Sequence, residues 1–258
     1  MAPDFARRAV THYSRAVVLR KSCVFRIEQS VPVPLACAGI IDGGPLAQLL
    51  PPDVAVFETR TPDIAPPLLP EERQHVINAV PKRVREFRAG RACARAALQQ
   101  LGIERFAVHA GSQREPIWPP GVVGSITHTL GYAAAAVGRT SSVRAVGIDA
   151  ERSTVVERSL WNEIATGSEL ERLAALAEPA ATVAASVLFS AKEAFYKCQF
   201  PLTGEWLDFH DIRIEPDPAS GFEIVPCRPL RLQLHAQRPW RGRFWIGEGL
   251  VLTAVCLR

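Results

Sequence analysis

The chain alternates between two apolar periodicities, and the change from one to the other separates strands from two long helices. After Pro81 the run KRVREFRAGRACARAALQQLG repeats its apolar positions at the helical period. Val84, Phe87, Ala94, Leu98 and Leu101 share one broad side, and Gly102 is the stop. Further on, PAATVAASVLFSAKEAFYKCQF carries Ala184, Val187, Leu188, Ala191, Phe195 and Cys198 as a stripe at the same spacing, which fixes its buried side. A shorter helix is predicted around residues 168–177. DVAVFETR and AVGIDAER read as strands, GSITH sits between short strands, and LDFHDIRIE, FEIV, LRLQLH, RFWIGEG and VLTAVCL read as an antiparallel sheet with one long helix packed on it. Strands and helices do not alternate regularly, and neither a GxGxxG nor a P-loop is present, so the predicted class is α+β.

Several charged residues fall where this pattern makes them unusual. In AVGIDAER a period of two puts Gly147, Asp149 and Glu151 on one face, so two carboxylates point the same way at roughly 6 to 7 Å. One reading is a strand running out into a solvated turn; the other is a site that holds a cation between them. Arg91 lies inside the apolar sector of the first long helix, Arg88, Arg91 and Arg95 edge it, and Arg83 opens its first turn. These are either snorkelling, salt-bridged arginines or an anion site. His128 in GSITH, taken alone, reads more often as a hydrogen-bonded structural histidine than as a functional one. Glu193 and Lys197 have the spacing of an exposed helix ion pair, but Phe189 and Tyr196 share their side, which makes Glu193 a partly buried carboxylate if that side is covered.

Composition narrows the class. With 258 residues and 48% hydrophobic content the chain can bury a substantial core, as one large domain or as two of about a hundred residues each. No apolar run approaches the roughly 20 residues that span a bilayer, and the longest low-charge run, residues 31–41, is broken by prolines, so no membrane helix is expected. The six cysteines are scattered without a CxxC pair, which fits reduced thiols in a cytoplasmic protein. Residues 1–30 carry six basic and two acidic side chains, which is the whole net charge of +4; the rest carries 24 of each, 30 less 6 and 26 less 2. The folded part is therefore neutral, against a nucleic-acid footprint. The Arg-rich start, residues 1–45, lacks periodicity and a signal-peptide core, and reads as a weakly ordered extension or a start assigned too far upstream.

Two carboxylates on a strand, followed by a helix bearing Lys192, Glu193 and Lys197, form a recognisable constellation. GIDAE with FSAKEAFYK resembles the paired motifs of the 4'-phosphopantetheinyl transferases, in the large monomeric class typified by the surfactin and enterobactin synthetase activators. KRVREFRAGRACARAAL, EPIWPPGVVGSITH, KCQFPLTGEWLDF and RGRFWIGEGLVLTAV extend the resemblance in order over about residues 52–257, and it is nearest to the actinobacterial members.

The resemblance implies two similar α+β halves related by a pseudo-two-fold, residues 46–145 and 146–258, with the active site in the cleft between them. It implies transfer of the phosphopantetheine arm of coenzyme A to a serine of an apo acyl or peptidyl carrier protein, in polyketide, nonribosomal peptide or fatty-acid synthesis, with release of 3',5'-ADP and the holo-[acyl-carrier-protein] synthase type of activity. Asp149, Glu151 and Glu193 would hold Mg²⁺, or Mn²⁺ in its place, against the diphosphate. By the same resemblance Arg83 and Arg91 hold the 3'-phosphate, Thr127 and His128 touch coenzyme A phosphates, and Lys192 binds phosphate. Glu193 accepts the serine proton, Lys197 orients the site, and Phe189, Tyr196 and Trp206 line the pantetheine pocket. Arg114 stands near the place where relatives carry a lysine, in HAGSQREP. A monomer is implied. The rival readings are a coenzyme A- or carrier-binding protein without catalysis and a nucleic-acid module; the intact set of three carboxylates and two lysines disfavours the first and charge neutrality the second.

Overall fold

The computed structural model describes residues 39–217, 221–232 and 240–258. Two antiparallel sheets are each covered by one long helix. In the first, β1 (Ile40–Asp42), β2 (Val54–Thr59), β5 (Val122–Thr129) and β6 (Tyr132–Arg139) lie in the order β1-β2-β6-β5. A two-stranded ribbon, β3 (His109–Ala110) with β4 (Pro116–Ile117), precedes β5. In the second sheet β7 (Ala145–Arg152), β8 (Ile212–Asp217), β9 (Gly221–Pro226), β10 (Trp240–Gly247) and β11 (Leu250–Leu257) lie in the order β7-β11-β10-β9-β8.

The same unit occurs twice. A strand, a long helix and a closing hairpin follow one another, and in each unit the first strand pairs with the last: β2 with β6 in one, β7 with β11 in the other. This repeat underlies the two similar halves of an α+β fold. The helix of the first unit is α2 (Pro81–Gln100), preceded by the short α1 (Pro70–Arg73); that of the second is α5 (Ala180–Thr203), preceded by α3 (Trp161–Ile164) and α4 (Gly167–Ala174). Pro81 sits at N1 of α2, where its missing N–H costs nothing, and Gly204 ends α5 in the left-handed region at φ 62°.

Strand alternation divides the core. Ala55, Ala135 and Val137 face Cys93, Ala94, Ala97 and Leu98 of α2. Val54, Val56, Ala134 and Ala136 share a cluster with Val146, Ile148, Ala150, Leu252 and Ala254 from the other sheet. The far side of the second sheet packs on Ala184, Leu188, Ala191 and Phe195 of α5. Edge strands β5 and β7 meet at a seam closed by side chains: Ile148 N–H donates to Ser125 Oγ at 3.1 Å and Ala150 N–H to Thr127 Oγ1 at 3.0 Å.

Some expectations are corrected. The extension placed at 1–45 ends too late, since Ile40–Asp42 pairs with Phe57–Thr59 of β2; its residues 1–38 lie outside the described ones. GSITH lies inside β5 rather than between short strands. LRLQLH forms no strand over Leu230, Arg231 and Leu232, and the rest of it falls outside the described residues. Among the described residues no helix is long and apolar enough to cross a membrane.

Candidate active site

The site is built where β5, β7 and α5 converge. Alternation along β7 aims Gly147, Asp149 and Glu151 at α5 while Val146, Ile148 and Ala150 enter the core. Gly147 is what allows the approach: a Cβ there would fall 2.0 Å from the carbonyl oxygen of Ala194 and 2.5 Å from the amide of Cys198. The helix backbone therefore lies directly on the strand, and its side chains reach the next position along. Asp149, 3% exposed, accepts from Ser190 Oγ at 2.8 Å on Oδ2, and from Lys197 Nζ at 2.6 Å and Thr127 Oγ1 at 3.2 Å on Oδ1.

Lys197 thus reaches across to the strand rather than pairing with Glu193 on its own helix. Burial works against its charge, but Asp149, Glu193 and Glu151 outweigh it and raise its pKa. The carboxylates show the reverse imbalance. Glu151 is pushed up to about 8 by burial and then by Asp149, against the opposing pull of Lys197 and a hydrogen bond from Thr129. Glu193 is also raised by burial and by Asp149, although Lys197 lowers it. Three carboxylates with one ammonium leave a surplus of negative charge under partial burial, which suits a hard divalent cation with oxygen ligands. Among the described residues no three metal-binding side chains are already drawn together on one point.

A cationic end adjoins this anionic one. Arg83, from the first turn of α2, donates through Nη1 to Nε2 of His128 at 2.9 Å. Burial lowers the His128 pKa to about 4, helped by Arg83 and Lys197, so the ring is neutral and its Nε2 accepts. Burial also lowers Arg83, Glu86 opposes this, and Arg114 from the β3–β4 turn adds to it. His128 therefore touches Arg83, has Glu86 3.9 Å from its Nδ1, and is within electrostatic reach of Asp149 and Lys197.

Other predicted residues are placed differently. Arg91 is 5% exposed; its Nε donates to Val108 O at 2.7 Å and its Nη2 to His109 O at 3.3 Å, with the guanidinium over the Phe87 ring at 4.1 Å. It clamps the chain entering β3, and burial brings its pKa down to about 10. Lys192 is not at the site. It is 2% exposed, and its three N–H groups go to Ile164 O (2.8 Å), Glu169 Oε2 (2.8 Å) and Phe209 O (2.7 Å), so none is left for a phosphate. Thr127, also 2% exposed, spends its hydroxyl proton on Asp149 while accepting from Ala150 N, which corrects the expected phosphate contact. Tyr196 and Trp206 come together edge to face at 5.3 Å, with Trp206 59% exposed, whereas Phe189 packs on Phe209 instead.

Sequence reasoning missed Ser190 and Thr253, and the buried Glu169 that pairs with Lys192. Only Glu169 had a legible signal: Thr166 and Glu169 have capping-box spacing at the start of α4, and both halves of the box are made. The hydroxyls look like ordinary small residues until the sheet register sets Thr253 opposite Asp149.

Family models match both halves of the chain, "4'-phosphopantetheinyl transferase N-terminal domain" at residues 71–138 and "4'-phosphopantetheinyl transferase superfamily" at residues 145–255. The chain is 41% identical over 219 residues to 4'-phosphopantetheinyl transferase Svp of Streptomyces mobaraensis, covering 82% of this chain and 89% of that one. It is 42% identical over 195 residues to 4'-phosphopantetheinyl transferase PptT of Mycobacterium tuberculosis, covering 73% and 86%. A holo-(acyl-carrier-protein) synthase from Bacillus anthracis, solved in complex with coenzyme A (3',5'-ADP), aligns at a TM-score of 0.37 and 19% identity over 45% of this chain and 96% of its own. The chain belongs to the 4'-phosphopantetheinyl transferase superfamily.

Proposed function

We propose that this protein transfers the 4'-phosphopantetheine arm of coenzyme A to a serine of apo acyl or peptidyl carrier proteins, an activity of the holo-[acyl-carrier-protein] synthase type, as a monomer in the cytoplasm. The observation that carries the reading is the two-part site: Arg83, with Arg114 near it, bonded to His128, and Asp149, Glu151 and Glu193 clustered with the ammonium of Lys197, with His128 in electrostatic reach of Asp149 and Lys197. Coenzyme A has matching ends, a 3'-phosphate and a diphosphate. Arg83 and Arg114 take the 3'-phosphate, with Arg91 holding the strand beside them, and His128 faces the diphosphate.

In the reaction the serine Oγ forms a bond to the phosphorus on the pantetheine side, and the bond from that phosphorus to the nucleotide phosphate oxygen breaks. The serine proton passes to the Glu193 carboxylate, a half-buried base with a raised pKa, and the leaving group is 3',5'-ADP. Asp149, Glu151 and Glu193 fit Mg²⁺, or Mn²⁺ in its place; when bound, the cation neutralises charge on the diphosphate. Lys197 holds Asp149 in position, and Tyr196 with Trp206 offers an apolar ledge to the pantetheine arm.

The test is incubation with coenzyme A, Mg²⁺ and a panel of apo carrier proteins, read by mass spectrometry. Carriers that gain one phosphopantetheine arm support the reading. Coenzyme A binding without gain on any carrier would leave a binding protein of the same fold.

A further inference from the structure

Two serines one turn apart on α5 use their hydroxyls differently. Ser186 donates back to the carbonyl of Thr182 at 3.0 Å, the usual choice of a serine inside a helix. Ser190 instead turns to Oδ2 of Asp149 at 2.8 Å. Thr253 stands behind Ser190. It lies directly opposite Asp149 in the β7–β11 register, is fully buried, and has its Oγ1 2.8 Å from Ser190 Oγ and 2.9 Å from Ser190 O. A hydroxyl carries one proton. Thr253 gives its proton to Ser190 O, so between the two hydroxyls Ser190 is the donor, and its proton goes to the charged carboxylate with the Thr253 oxygen as a neutral acceptor beside it.

We propose that Thr253 is a positioning residue: by holding the main-chain carbonyl of Ser190 it keeps the Ser190 hydroxyl on Asp149, fixing this carboxylate before a divalent cation binds. The inference rests on the metal-binding reading of Asp149 given above. Groups that orient a ligand from behind typically change metal affinity 10- to 100-fold when removed. Pinning Ser190 O to β11 also fixes the height of α5 over β7, one turn before Glu193.

The experiment uses the full chain with saturating coenzyme A and follows free Mn²⁺ by electron paramagnetic resonance during titration. Thr253→Val, which keeps the shape and removes the hydroxyl, should weaken Mn²⁺ binding about 10- to 100-fold, and Ser190→Ala should do the same. Thr253→Ser should return it to within about threefold of wild type, and coenzyme A affinity in EDTA should not change. A cooperatively melting Thr253→Val protein with wild-type Mn²⁺ affinity overturns the inference, as does loss of cooperative melting in both hydroxyl-deleting variants, which would mean that the pair holds the fold instead. Wild type that binds no Mn²⁺ beside coenzyme A would overturn the metal-binding reading along with it.

Discussion

Lys197 lays its ammonium on Oδ1 of Asp149 at 2.6 Å and leaves Glu193, one turn before it on the same helix, without that pairing. The cation therefore ties α5 to β7, and its removal leaves the nearly buried Asp149 among carboxylates. Lys197→Met should lower stability by on the order of 3 kcal/mol, the low end for a broken buried pair because Lys197 keeps some contact with solvent. Mg²⁺ with coenzyme A should restore part of the loss. Thermal melts with and without the two ligands check this; a melting temperature equal to that of wild type would show the pair to be energetically idle.

Glu151 sets a pH dependence whose sign is fixed by its environment. Its pKa in the folded protein is about 8 against 4.5 for the free side chain, so the native state binds more protons between these values. Stability is complete below about 4.5 and falls as the pH rises through 8 in the metal-free protein. Melting temperatures measured in EDTA across this range should show the decline from this group, and Glu151→Gln should flatten it. An unchanged slope in the variant would place the titration elsewhere.

The arginines of α2 should separate into two roles. Arg83 faces His128, and contacts to the far end of coenzyme A are equal in ground and transition states. Arg83→Ala should therefore raise the KM for coenzyme A with little change in kcat. Arg91 holds two main-chain carbonyls, so Arg91→Ala should lose stability as well, by about 1–3 kcal/mol for the orphaned carbonyls. Steady-state kinetics beside denaturant melts resolve the two. Wild-type use of 3'-dephospho-coenzyme A as good as that of coenzyme A would remove the assigned role of Arg83.

These roles show what was legible in the sequence. Both long helices, the shared face of Asp149 and Glu151 and the intrusion of Arg91 into an apolar sector follow from periodicity, because each is a property of one element. The destinations of the long cations do not, because they depend on which element arrives opposite. Lys197 finds a strand 48 residues earlier, and Lys192, adjacent to Glu193 in sequence, points to a separate buried carboxylate on α4. Ser190 and Thr253 are further still from sequence reasoning, since the packing of α5 on β7 brings the first to Asp149 and the β7–β11 register the second.

Lys192 should behave as a structural residue. Its ion pair with Glu169 is almost completely buried, and Glu169 also accepts from Ile214 N, so one carboxylate joins α4, α5 and β8. Burial lowers the Lys192 pKa while Glu169 supports the charge. Lys192→Met should cost about 3–5 kcal/mol by leaving that carboxylate unpaired, and Lys192→Met with Glu169→Leu should recover much of the loss. The KM for coenzyme A of the folded fraction should stay near that of wild type. A large rise in KM without loss of stability would return Lys192 to the phosphate site.

Glu193 offers the strongest contrast between a helix-surface residue and a reacting one. An exposed i, i+4 pair with Lys197 would be worth well under about 1 kcal/mol, and Glu193→Gln would then be silent in stability and activity. The geometry removes that option, since Lys197 is bound to Asp149 and burial raises the Glu193 pKa, with Asp149 adding to it. A neutral amide therefore relieves repulsion in the metal-free protein, and the variant should melt at the same temperature or slightly higher. In the proposed reaction this carboxylate accepts the serine proton. Losing a general base alone typically slows a reaction by about 10² to 10⁴, and a lost metal ligand adds to that. The mass gain of an apo carrier protein over time should therefore be almost abolished in Glu193→Gln at any practical Mg²⁺ concentration, while the variant melts no lower than wild type. Activity within about threefold of wild type, roughly 0.7 kcal/mol of barrier, would take Glu193 out of the chemistry.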